Sequence, residues 1–390
     1  MSRFAFIDSS AALGQFLDDT AGTRLVALDT EFMREKTYYP RLCLVQVAAG
    51  EQIACIDPLA LDDLGPLWER LSSAGTCVLL HAGRQDLEVI FQASGKIPAS
   101  VFDTQIAASL CGYGDQTGYA ALVRDILGVE LDKSMTRADW SRRPLSQDAL
   151  EYAADDVRYL RALHEHLSSK LESLGREDWL EPELEVLTEP SQYRLDPAKA
   201  WKRIRAAAKL KPKEVAILRA LAEWREREAM RVDRPRQWLL KDDALVFIAQ
   251  RPPKNVAALT TVRGVEEGFA LRHGETLLKL IDTARTAPPP EDLPAMRERL
   301  TLSQEAQADL LMAALKAIAN ANELAPASIA NRKEIERLVR GDRNLDLLKG
   351  WRRAAAGLKL VDILEGRMGM MVAAGGVRFL DEEEKGNGQD

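Results

Sequence analysis

The chain has 390 residues, 46% of them apolar, more than one hydrophobic core serves and enough to bury two or three. Its apolar runs are strand-length and its start, Met1-Ser-Arg-Phe-Ala, lacks the charged-then-apolar layout of an export signal, which argues against a membrane span and for the cytoplasm. The net charge of −7 conceals an asymmetry. Residues 1–198 hold 18 Lys+Arg against 32 Asp+Glu, whereas 199–390 hold 35 against 28, a balance of +7 that rises to +11 without the acidic last ten residues and suits a polyanionic partner.

In chain order, Leu25–Leu28, Leu42–Val47, Ile53–Ile56 and Cys77–Leu80 are short apolar runs that read as strands. The 64–73 segment, Gln85–Ser94, Thr104–Leu110, Tyr119–Leu127 and Gln147–Leu174 carry helical apolar spacing. The pattern predicts a mixed α/β sheet in a first domain over 1–175. Glu181–Pro197 has three prolines and little periodicity, so 176–207 reads as a linker or surface strap. The remainder of the chain is almost wholly helical, in units over 208–288 and 295–378 divided by the proline-rich Thr286–Pro294 connection, with a disordered acidic tail over 379–390. Cys43, Cys55, Cys77 and Cys111 form no Cys-x-x-Cys pair and read as buried, reduced thiols.

Asp29 and Glu31 come directly after the Leu25–Leu28 strand, and on an extended chain positions two apart point the same way. Paired carboxylates suit hard cations such as Mg²⁺ or Mn²⁺, which also relieve the repulsion between the acids; an ordinary acidic pair in a loop or cap is the alternative. Asp86 comes after a second buried strand and opens an amphipathic helix; a helix-start residue bonded to backbone amides is the alternative there. On the helix through Glu151–Asp156, Leu150, Ala153, Val157, Leu160 and Leu167 define the buried stripe. At roughly 100° per residue Tyr152 and Asp156 lie about 40° apart beside it, while Asp155 points away as a solvated neighbour.

In this order, Asp29-x-Glu31, Asp86 and Tyr152-x-x-x-Asp156 resemble the DEDD exonucleases of the tyrosine subclass. Leu28-Asp-Thr-Glu-Phe32, Leu42-Cys-Leu-Val-Gln46, His81-Ala-Gly-Arg-Gln-Asp-Leu-Glu88, Leu131-Asp-Lys-Ser134, Asp139-Trp140 and Arg143-Pro-Leu145 resemble ribonuclease D. Glu223–Glu228, Asp233-Arg-Pro235, Trp238-Leu-Leu240 and Asp243–Ala249 resemble the helical HRDC module, and Glu323–Arg332 through Leu348–Arg353 resemble a second, weaker copy. The resemblance implies a ribonuclease H-like α/β exonuclease domain with a mixed sheet, followed by two HRDC bundles. It also implies that Asp29, Glu31, Asp86 and Asp156 hold two divalent cations, Mg²⁺ or Mn²⁺, for hydrolysis from RNA 3′ ends with release of nucleoside 5′-monophosphates. Tyr152 would orient the attacking water, since a free phenol, with pKa about 10, suits hydrogen bonding better than base catalysis. Transfer-RNA precursors are the implied substrates, and a monomer is expected.

For substrate holding, Lys133, Arg142 and Arg143 precede the catalytic helix and are candidates for phosphate contact or for local pairing, while Trp140 reads as core. The stronger candidate is the acid-free stretch Lys199–Lys213, with Lys202, Arg203, Arg205, Lys209 and Lys211 within it. Two rival readings are a 3′-to-5′ DNA exonuclease with the same acidic site and a catalytically silent RNA-binding protein.

Overall fold

The computed structural model describes residues 4–132, 135, 138–287 and 299–380. Six strands build the sheet: β1 (Phe4–Ile7), β2 (Leu25–Met33), β3 (Arg41–Ala49), β4 (Gln52–Ile56), β5 (Cys77–Leu80) and β6 (Val101–Asp103), in the order β1-β4-β3-β2-β5-β6. β4 runs antiparallel to β3, and the β1–β4, β2–β5 and β5–β6 pairs are parallel, so the sheet is mixed as the sequence predicts. The two edge strands escape sequence reading because one is only three residues long and the other alternates weakly, with Phe6 left exposed. β2 lies centrally, and this position carries two acids to the end of a buried strand.

Helices α1 (Ser10–Asp19), α2 (Gly65–Ser72), α3 (Arg84–Ser94), α4 (Thr104–Leu110), α5 (Tyr119–Leu127), α6 (Gln147–Arg158), α7 (Leu160–Leu174) and α8 (Glu177–Thr188) accompany the sheet. The single helix expected over Gln147–Leu174 is interrupted at Tyr159, whose amide bonds the Tyr119 hydroxyl at 3.2 Å. α8 falls where a linker was expected and carries Pro182 inside it. Its buried Leu180 and Leu187, and the hydrogen bonds that Glu183 accepts from Trp351 and Arg352, offset the backbone hydrogen bond that proline cannot make. The four cysteines are free, three of them buried, and burial pushes the thiols of Cys55 and Cys111 up to about 12 and about 11.

The chain divides into two units, one made of Met1–Glu31, Leu42–Gln192 and Arg299–Asp390, the other of Phe32–Arg41 and Tyr193–Glu298. In the second unit, α9 (Pro212–Arg231), α10 (Arg236–Leu239), α11 (Asp242–Gln250), α12 (Val256–Thr260) and α13 (Glu267–Thr286) enclose a core that includes Trp201, Leu218, Leu221, Leu245, Ile248 and Leu277. The end of the chain belongs to the first unit: α14 (Leu302–Ala321), α15 (Pro326–Ile329), α16 (Arg332–Val339), α17 (350–364) and a hairpin of β7 (Gly369–Ala373) with β8 (Gly376–Leu380), an element the sequence reading lacks. Arg176 donates to the carbonyls of Leu110 at 2.7 Å and Asn322 at 2.6 Å, and Trp179 stacks on Trp351 with ring centroids 4.8 Å apart. Glu183 accepts from the Trp351 indole at 3.0 Å and from Arg352 at 3.0 Å. These ties explain why the last helices join the first unit. The prolines of the Thr286–Pro294 connection and residues 381–390 of the expected tail lie outside the described residues.

Candidate active site

β2 is apolar and buried through Leu28, and then presents Asp29 and Glu31 on one side of the strand. α6, capped by Ser146, carries Asp156. One carboxylate oxygen from each of Asp29, Glu31 and Asp156 lies within 4.8 Å of the others. Burial, then the neighbouring acids, push Glu31 up to about 8 and Asp156 to about 7, and hold Asp29 well above the usual carboxylate range.

Asp86, buried in the first turn of α3, is the fourth acid. Its Oδ1 accepts from the Thr30 amide at 3.1 Å and the Thr30 hydroxyl at 2.5 Å, which fastens it to the strand between Asp29 and Glu31. Burial raises Asp86 to about 6 even though the Thr30 bonds favour its charged form, and its charge in turn raises Asp29, Glu31 and Asp156. All four acids named from the sequence therefore interact. The donor set is oxygen only, with Asp29, Glu31 and Asp156 half-buried and Asp86 buried, which fits hard divalent cations and leaves the acids repelling one another otherwise.

Tyr152 is half-buried one turn before Asp156, with its ring 6.2 Å from that of Trp140, and Trp140 is core as expected. Asp155 is not simply solvated: it is half-buried and pairs with Arg158, so its charge is already answered. Sequence reasoning missed the residues that brace the site. Asp103 caps α4 through the amides of Gln105 and Ile106 and also accepts from the Ala82 and Gly83 amides at 3.1 and 2.8 Å, holding the turn that leads to Asp86. An Asp just ahead of a helical pattern is the signal that marks such a cap. Tyr119 is held against α6 by its hydroxyl, which donates to the Asp155 carbonyl at 2.9 Å. A Cβ on Gly83 would come within 2.7 Å of Leu80, so Gly83→Ala is expected to destabilise the protein by about 1–3 kcal/mol, read from chemical denaturation.

Among the basic candidates, Arg143 is used internally. Its Nε and Nη2 grip Asp57 at 2.6 and 2.7 Å, Nη2 also donates to the Cys43 carbonyl, and Nη1 donates to the Trp140 and Arg142 carbonyls, so no N–H remains for a phosphate. Its local-pairing alternative holds. Burial pushes Asp57 up, but these hydrogen bonds outweigh it and keep the carboxyl below its usual range. Removing the guanidinium would leave the buried Asp57 without its counter-charge, held only by backbone amides such as that of Leu59 at 2.9 Å; Arg143→Ala is expected to cost about 3 kcal/mol in an unfolding titration. Arg142 is exposed, and Lys133 lies outside the described residues. Lys202, Arg205, Lys209 and Lys211 are exposed in the second unit, whereas Arg203 reaches the buried Glu226 at 3.3 Å.

A family model described as a 3′–5′ exonuclease matches residues 4–172, and one for the HRDC domain matches 214–281. Fold and acidic site together define a divalent-metal-dependent 3′-to-5′ exonuclease. The chain is 41% identical over 350 residues to ribonuclease D of Gluconacetobacter diazotrophicus, covering 88% of each, and 38% identical over 379 residues to that of Acidiphilium cryptum, covering 96% of each. It is similar to the crystal structure of Escherichia coli RNase D, described as an exoribonuclease involved in structured RNA processing, with a TM-score of 0.81, 31% identity and coverage of 93% of this chain and 99% of that one. The chain belongs to the ribonuclease D family, and its activity is that of a 3′-to-5′ exoribonuclease.

Proposed function

We propose that Asp29, Glu31, Asp86 and Asp156 hold two divalent cations, Mg²⁺ or Mn²⁺, around the scissile phosphate of an RNA 3′ end. The observation that carries this reading is the convergence of four mutually repelling carboxylates at the end of β2 and the adjoining turns of α3 and α6. The ions would supply charge neutralisation at the phosphate and acidification of water. Tyr152, on the same face of α6 as Asp156, orients the attacking water by hydrogen bonding, as in the tyrosine subclass, and each cycle releases a nucleoside 5′-monophosphate.

The substrates are RNAs with a free 3′ end, transfer-RNA precursors first among them, and the enzyme works as a cytoplasmic monomer. Exposed Lys202, Arg205, Lys209 and Lys211, with Arg142, contact phosphates in a salt-sensitive, sequence-independent way. The HRDC module is present twice, over 208–288 and 295–378. Supporting this, α14, α15 and α16 begin at 302, 326 and 332, each 90 residues after α9, α10 and α11 at 212, 236 and 242. The left-handed residues Glu323 (φ 53°) and Asp233 (φ 46°) keep the same offset.

The test is digestion of 5′-labelled RNA bearing a short unpaired 3′ tail, with Mg²⁺ or Mn²⁺, beside a matched DNA. Stepwise shortening of the RNA, lost in EDTA, is expected. Preferred shortening of the DNA would favour the DNA exonuclease, and salt-dependent binding without shortening would favour a silent RNA-binding protein.

A further inference from the structure

From the contacts inside the second unit, we infer that Asp233 and Glu226 of the first helical module are positioning residues for the exonuclease reaction, acting by anchoring the loop that continues the catalytic strand. The inference rests on the reading of Asp29 and Glu31 as cation ligands. β2 runs to Met33, two residues beyond Glu31, and from Phe32 to Arg41 the chain belongs to the helical unit. That loop is tied at two points. Asp233 accepts from the backbone amides of Tyr38 and Tyr39 at 2.9 and 3.1 Å, and the Tyr38 hydroxyl donates to Glu226 Oε1 at 2.6 Å.

Both anchors are built at a cost. Asp233 holds the left-handed conformation that L side chains rarely adopt. Glu226 is a buried carboxylate whose Oε1 faces Tyr38, Arg203 at 3.3 Å and Arg236 at 3.8 Å, while its Oε2 is buried without a hydrogen-bond partner among the described residues. Burial and the Glu226 carboxylate push the Tyr38 phenol up, so it remains a donor across the working range of pH. The turn 90 residues later is used alike within the first unit. Arg176 donates to the Asn322 carbonyl at 2.6 Å, and Gly112 approaches the Glu323 carbonyl so closely that a Cβ would lie 2.7 Å from it. The turn after the long first helix of each module thus meets a segment that precedes the module in the chain. In the first module that segment leads directly out of the strand bearing Asp29 and Glu31.

The consequence is that freeing the loop loosens the end of β2 and misplaces the two acids. The experiment uses the full chain with Asp233→Gly, which keeps the backbone conformation and removes the acceptor, Asp233→Asn, which keeps both, and Tyr38→Phe. Amide exchange over 25–41, Mn²⁺ binding by calorimetry, thermal melting and steady-state kinetics are read in parallel. Asp233→Gly and Tyr38→Phe are expected to speed exchange over 32–41 about tenfold and to weaken Mn²⁺ binding and lower kcat severalfold, with Asp233→Asn close to wild type. Unchanged exchange would overturn the inference, and so would faster exchange or a lower melting temperature with Mn²⁺ binding and kcat unaltered. Because exchange and Mn²⁺ binding need no turnover, an inactive wild-type protein would count against the proposed function and leave this inference to be decided on its own readouts.

Discussion

Asp156→Asn is expected to lower exonuclease turnover at saturating Mg²⁺ or Mn²⁺ by about 10³-fold or more, while Asp155→Asn stays within about tenfold of wild type. Two adjacent acids on one helix make this a stringent comparison, because composition, charge change and position are nearly the same. Their surroundings differ. Asp156 offers an oxygen within 4.8 Å of those of Asp29 and Glu31, and burial with the charges of Asp155 and Asp86 raises it to about 7. Asp155 pairs with Arg158, so its loss removes a local ion pair and one of the charges opposing ionisation of Asp156. A factor of 10³ corresponds to about 4 kcal/mol of transition-state stabilisation, within the range that one electrostatic group in a water-poor site supplies. Single-turnover rates on a labelled RNA at several metal concentrations decide it. Equal losses from the two substitutions would remove the distinction between the neighbours.

The buried stripe beside these neighbours was legible because helical period is a strong signal: Leu150, Ala153, Val157, Leu160 and Leu167 are all buried, as their spacing predicts, whereas the ion pair of Asp155 with Arg158 was not. That Asp29 and Glu31 share one side was legible because positions two apart on a strand point the same way, while their place in an acidic site was read from the ordered family motifs rather than from the pair alone. The role of Arg143 remained open because a guanidinium serves a phosphate or an internal carboxylate equally well by residue type, and Asp57, its partner, lies 86 residues earlier. α8 was hidden by Pro182, where tertiary contacts of Glu183 with Trp351 and Arg352 override a local helix breaker. The attachment of Phe32–Arg41 to the helical unit had no local signature either. It depends on Tyr38 meeting Glu226 across 188 residues, a contact that no periodicity encodes.

The raised acids also make the metal-free protein respond to pH in an unusual sense. Glu31, Asp156 and Asp86 hold protons to about 8, 7 and 6 in the folded chain, and burial and its three acidic neighbours raise Asp29 as well. In the unfolded chain all four would release protons near the ordinary carboxylate value of about 4. Between about 4 and about 8 the folded state therefore binds more protons than the unfolded one, so stability falls as pH rises across that window and the full penalty is present above it. Asp57 and Glu183 have the opposite sign, since their lowered values stabilise the fold until pH drops below the usual carboxylate range, and they contribute little to the slope in this window. In EDTA the protein is expected to lose on the order of 3 kcal/mol from pH 5 to pH 8, a fall of about 5–10 °C in melting temperature for a unit of this size. Mg²⁺ or Mn²⁺ should restore most of it, with the restoration growing and the half-saturating metal concentration falling as pH rises, because cations and protons compete for the same oxygens. Asp156→Asn removes one of the repelling charges and should make the EDTA profile shallower while leaving the enzyme inactive. A melting temperature in EDTA that stays level from pH 5 to pH 8 would mean that the four carboxylates do not share their charge in the way their geometry requires.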